Sequence, residues 1–100
     1  MVKHVLMWQF KEEFNEEQKT EIRKSAKEAL EGLVGVVPGL IKAHVTIDRL
    51  PTSNADLMLD ATLTDEESLK AYAIHPAHVE VANTKVRPFT RTRVCIDYLI

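Results

Sequence analysis

One hundred residues, with one cysteine, thirteen basic and fifteen acidic side chains and a net charge of −2, suffice for one domain. They exclude a disulfide framework and leave no basic surplus of the kind nucleic acid selects. No apolar run nears the roughly 20 residues of a membrane helix, and no basic-then-apolar leader opens the chain. The expectation is a soluble, cytoplasmic protein with one domain over residues 1–100 and neither nucleic acid nor a membrane as partner.

The segment "VKHVLMWQF" (Val2 to Phe10) is rich in β-formers and ends at the charged "KEE", which predicts a strand. His4, Leu6, Trp8 and Phe10 fall on one face of it, Val5 and Met7 on the other. Next comes a predicted helix, "NEEQKTEIRKSAKEALEGLV". Asn15 is its N-cap, Gln18 sits at the capping-box position, and the first turn is acidic. Ile22, Ala26, Ala29, Leu30 and Leu33 recur at helical spacing, and Gly35, Pro38 and Gly39 end the run.

A second strand is predicted over Leu40 to Asp48 and a third over Asp56 to Leu63, the latter with Leu57, Leu59, Ala61 and Leu63 on one side. Thr64 and Glu67 read as the capping box of a short helix carrying Leu69 and Tyr72 inward. His75 precedes a proline and so marks a break. Pro76 then opens a further helix to about Arg87, and Thr90 to Ile100 forms the last strand.

This β-α-β-β-α-β order is the ferredoxin-like α+β arrangement, a four-stranded antiparallel sheet with helices on one face. Val5, Met7, Val94, Ile96 and Tyr98 then make an apolar set on the bare face, larger than a soluble monomer normally exposes. A homodimer through that sheet face removes the problem, because a two-fold interface needs only one self-complementary surface.

With that order in place, "VKHVLMWQFK", "YAIHPAHVEVA" and "VCIDY" together resemble the stress-responsive A/B barrel domain family across essentially the whole chain. Its most specific part here is Tyr-x-x-His-Pro-x-His, from Tyr72 to His78. The resemblance implies a dimeric α/β barrel. It also implies a pocket in which a plant polyketide cyclase of the family carries a catalytic tyrosine and histidine matching Tyr72 and His78, with a third histidine matching His4. Ile22, Arg23 and Ala26 stand where that cyclase lines its pocket with aromatic residues.

The residues themselves leave more than one role open. His78, in a first helical turn, would be held neutral by the helix dipole and so suit a general base; alternatively it ties helix to sheet. Tyr72 would donate to a carbonyl or enolate oxygen. His75 is expected as an N-cap-like residue that could also touch a ligand. His4 is either a satisfied core histidine or part of a pocket, and Trp8 is core that could stack on a flat ligand.

Leu6, Trp8, Leu59, Ala61, Val79 and Val81 are the expected apolar walls. Arg93, with Arg91 and Cys95 on one side of the last strand, would suit a carboxylate-bearing ligand or lie exposed; Cys95 is expected to act as a small hydrophobe. A metal held by His75, His78 and His4 lacks the spacing of zinc hydrolases, so no metal and no cofactor is expected. The expected function is binding of a small apolar or carbonyl-containing molecule. Alternatives are a cyclase or lyase working through His78 and Tyr72, and a structural protein without ligand.

Overall fold

The computed structural model describes residues Met1 to Ile100. Strand β1 spans Val2–Phe10, helix α1 Glu16–Glu31, β2 Leu40–Thr46 and β3 Leu57–Leu63. Helix α2 follows over Glu66–Ile74 and α3 over Pro76–Val81. The chain continues through a π-helical turn at Ala82–Val86 and a 3₁₀ turn at Arg87–Phe89 into β4, Thr90–Leu99. The strands form one antiparallel sheet in the order β2-β3-β1-β4. This is the ferredoxin-like fold.

Every second residue of β1 from Val2 to Phe10 is buried, because that face of the strand meets the helices. Ile22, Ala26 and Leu30 of α1 pack onto it with Leu57, Leu59 and Leu63 of β3 and Val45 of β2. Burying each of the larger side chains contributes about 1.5–3 kcal/mol. The helix begins as its sequence dictates: Asn15 accepts the Gln18 N–H at 2.8 Å, and Gln18 returns a bond to the Asn15 N–H at 2.9 Å.

The edge strand β2 is tied to α1 by side chains. Glu31 accepts the Val45 N–H at 2.8 Å, and Lys27 donates both to Glu31 and to the Val45 carbonyl, each at 2.7 Å. At the middle of α1, Arg23 pairs at 3.2 Å with Asp56, which also accepts the Phe10 N–H at 2.9 Å and pairs with Arg49 at 3.4 Å.

The cap of α2 differs from the expectation. Asp65, not Thr64, caps it, accepting the Ser68 N–H at 2.7 Å. Both residues have cap chemistry, but Thr64 is already committed: its N–H and hydroxyl donate to the Gly39 carbonyl at 2.9 and 3.2 Å. The helix expected from Pro76 to Arg87 also changes its winding after Val81, where the π turn inserts an extra residue.

The helices cover one sheet face and stop short of β4, most of which is exposed on both sides. On the uncovered face the apolar residues gather on β1 and β4, as the alternation implies. Met7 pairs with Val94 and Val5 with Ile96, and Val94 and Ile96 are 57% and 60% exposed. The β2–β3 half of that face is polar, with Asp60 bound to Lys3 at 3.0 Å.

Gly39 turns the chain into β2 with φ of +83°, and a Cβ there would lie 2.4 Å from Ser68 Oγ. Gly39→Ala adds left-handed strain of about 1–2 kcal/mol to that clash. Chemical denaturation should therefore show a loss of at least about 2 kcal/mol, whereas Gly35→Ala, where no atom lies near the added Cβ, should lose only the strain part.

Candidate functional site

Between the sheet and the helical layer lies a cavity of about 270 Å³. Its floor is the β1–β3 surface, His4, Leu6, Trp8 and Leu59. Leu30 of α1, Leu69, Tyr72 and Ala73 of α2, and His78 close it from above. From His78 the helical wall steps by four residues to Ala82 and Val86, and the mouth is formed by Arg87 and by Thr90 to Arg93.

Three aromatic rings stand in contact across the cavity, His4 on the floor and Tyr72 and His78 on the helical wall. Tyr72, 2% exposed, stacks on His78 with ring centroids 4.1 Å apart and planes tilted by 34°. Its other side meets His4 nearly edge-on at 5.8 Å. His4 is buried and bonded through Nδ1 to the Asp97 carboxylate, its cross-strand partner in β4. His78 Nδ1, by contrast, is buried with no hydrogen-bond partner. It is the one such side-chain atom in the chain, and buried polar atoms without partners are rare because each costs about 1–3 kcal/mol.

Burial also sets the protonation states. It pushes the His78 imidazole below the ordinary histidine value; the nearby Ala73 carbonyl opposes this, while the charges of His4, Arg87 and Arg93 add to it. The expected neutral ring is present, but the cause is desolvation and not the dipole of a helix only six residues long. Burial pushes the Tyr72 phenol up to about 12. At neutral pH the site therefore holds an unprotonated imidazole against a phenol that keeps its proton.

The structure brings together His4, Leu6, Trp8, Leu59, Tyr72, His78 and Arg93 of the expected set. It separates four others. Ala61 is fully buried against β2, paired with Ala43, and reaches no cavity surface. His75 is turned to its own helix, where its Nδ1 accepts the Ala77 N–H at 3.1 Å, the capping role its position before proline suggests. Val79 and Val81 are half-buried beside the stripe that runs through His78, Ala82 and Val86.

On α1 the lining residue is Leu30. Ile22 and Ala26 are core, and Arg23 is engaged with Asp56. Cys95 is exposed rather than packed as a small hydrophobe. Counting in fours from His78 finds Ala82 and Val86. Of the arginine rim, strand alternation signals Arg91 and Arg93, whereas Arg87 has no comparable signal, because its place depends on how the 3₁₀ turn delivers the chain to β4.

The sequence profile of the stress-responsive A/B barrel domain matches residues 2–100. The chain belongs to that family. Over 100 residues, 97% of this chain and 94% of the other, it is 28% identical to an olivetolic acid cyclase from Cannabis sativa. A dimeric ferredoxin-like protein of unknown function from Bacteroides fragilis superposes with a TM-score of 0.92 at 26% identity, covering 99% of this chain and 95% of that one. A hydroxynitrile lyase from Passiflora edulis shares the fold, with a TM-score of 0.73 at 16% identity over 99% and 92% of the two chains. Members of the family and of the fold thus include enzymes with different chemistries and proteins without a known one.

The depressed His78 makes stability pH-dependent with a definite sign. On acidification the unfolded chain takes up the histidine proton before the folded one does. The His78 contribution is therefore complete above about pH 6.5 and is lost as pH falls from there toward the folded-state value. Denaturation midpoints measured on either side of about pH 6.5 should fall more steeply with acid for the wild type than for His78→Gln.

Proposed function

We propose that the protein is a homodimer that holds a small, largely apolar, carbonyl-containing molecule in the cavity between sheet and helices. The observation that carries this reading is a cavity whose interior is lined largely by apolar side chains, with His4, Tyr72 and His78 as its few polar points. A sparse set of polar groups in an apolar enclosure is the usual form of a small-molecule site, and this volume lies near the lower end of such sites. The arginines at the mouth favour a ligand with an anionic end directed outward. Trp8, the chain's one tryptophan, lines the cavity, so its fluorescence reports occupancy directly.

Dimerisation is supported by the apolar β1–β4 patch and by the dimeric state of the Bacteroides fragilis protein. Two such patches facing each other remove from water the side chains the helices leave bare. The wild-type protein should sediment as a dimer of 11.4 kDa chains. Ile96→Glu, which sets like charges across the two-fold axis, should sediment as a monomer at the same concentration. A wild-type monomer would remove this part of the proposal.

A second reading, proton abstraction next to a carbonyl, is favoured by the opposed protonation states of the stacked pair. Neutral His78 takes the α-proton, and Tyr72 donates its hydrogen bond to the oxygen on which negative charge grows. The cyclase relative supports it as a member of the same family. Exchange of the α-protons of acetophenone in deuterated buffer, followed by NMR, tests this.

Wild type should accelerate exchange, with activity fading as acid protonates His78. His78→Ala should lose at least about 100-fold, the usual contribution of a positioned base, and Tyr72→Phe should lose less. Binding without chemistry predicts Trp8 quenching by acetophenone and no acceleration. Neither effect, with acetophenone or with benzoylacetone, would leave the structural reading in possession.

A further inference from the structure

We propose that His4, Cys95 and Asp97 form a binding site for one divalent transition ion of the zinc type, where the first strand pairs with the last. The three residues come from neighbouring antiparallel strands. His4 stands directly opposite Asp97, and Cys95 lies two residues before Asp97 on the same face of β4. One donor atom from each lies within 4.8 Å of the other two.

Two edges of this triangle match a coordination sphere. Ligands about 2.0–2.3 Å from a tetrahedral ion lie roughly 3.3–3.6 Å from one another. Cys95 Sγ is 3.7 Å from His4 Nδ1 and 3.6 Å from Asp97 Oδ1. The third edge, between His4 and Asp97, is closed by a hydrogen bond and opens when an ion replaces the proton between them.

The donor set also selects the ion. Imidazole and thiolate together favour zinc or cobalt over magnesium or calcium, which take oxygen ligands. On binding, the thiol gives its proton to solvent and the imidazole proton shifts from Nδ1 to Nε2. One thiolate and one carboxylate then balance the two positive charges. Three protein ligands leave a fourth position open for water or a small ligand, as in zinc sites that do chemistry.

Access and rigidity are both provided. Cys95 and Asp97 are exposed on the uncovered strand, and Asp97 borders a groove shared with Glu66, Leu69 and Lys70 of the α2 side. His4 is buried and braced edge-on by Tyr72, so the least mobile ligand anchors the other two. Cys95 and Asp97 are not among the residues that line the cavity and only His4 is shared with it, so ion binding at this site does not require the cavity to bind a carbonyl compound.

Titration of the full, reduced chain with Co²⁺ tests it. The expected result is one ion per chain, with a thiolate-to-cobalt charge-transfer band in the near ultraviolet and the intense visible bands of tetrahedral cobalt, all displaced by Zn²⁺. Cys95→Ser should abolish the charge-transfer band, and it and Asp97→Asn should each weaken binding by more than about 100-fold. Loss of even an outer partner of a metal ligand commonly costs about 10- to 100-fold. His44→Gln, an exposed histidine on the far edge of the sheet, should change nothing, and circular dichroism confirms that each variant is folded. The assignment fails if Co²⁺ gives only the weak spectrum of an octahedral aqua ion, or if Cys95→Ser leaves the bands in place.

Discussion

Three short helices cannot cover four strands. The helical layer of this chain is spent on β2, β3 and β1, and β4 is left with water on both sides. That shortage shapes everything else. The last strand supplies the mouth of the cavity on one side and the greasy patch on the other. Its polar residues facing the helical side, Arg93, Cys95 and Asp97, meet β1 at Trp8, Leu6 and His4. A core histidine thereby gains a carboxylate, and a largely apolar cavity gains a charged rim.

The cavity exists because the covering helix is broken. Pro76 follows His75, which cannot continue α2 in helical geometry and instead bonds the Ala77 N–H. The second helical segment therefore starts afresh at an angle that brings His78 back over Tyr72. Two rings stacked at 4.1 Å share one desolvated space, and each is pushed toward its neutral form. The same burial leaves the imidazole unprotonated and the phenol protonated at neutral pH. The π turn then carries Ala82 and Val86 along the wall without refilling the space with larger side chains.

Much of this was legible before any coordinates. The nine residues of β1 are rich enough in β-formers to mark the strand, although both its faces are largely apolar, and the Asn15–Gln18 pair marks the start of α1 without ambiguity. Where the reading failed, two chemically equal candidates competed and a distant contact decided. Thr64 and Asp65 are both able to cap α2, and Gly39, twenty-five residues earlier, removes the first. Ala61 shares its strand face with Leu59, yet Ala43 on β2 covers it. His4, Cys95 and Asp97 are over ninety residues apart at the extremes, so no local spacing hints at their meeting; only the pairing of first and last strands does. The histidines near Pro76 are close in sequence, but His75 is turned to the Ala77 N–H and His78 to Tyr72.

The tie between α1 and β2 has a bearing on how the sheet ends. Lys27 and Glu31 occupy the outward carbonyl and N–H of Val45, groups a further strand would otherwise seek. That rim is thus blocked at Val45 by two side chains of the chain's own helix, while the opposite rim along β4 has no such stopper. Growth of the sheet by strand addition, whether in orderly assembly or in aggregation, is thereby biased toward one end of the molecule.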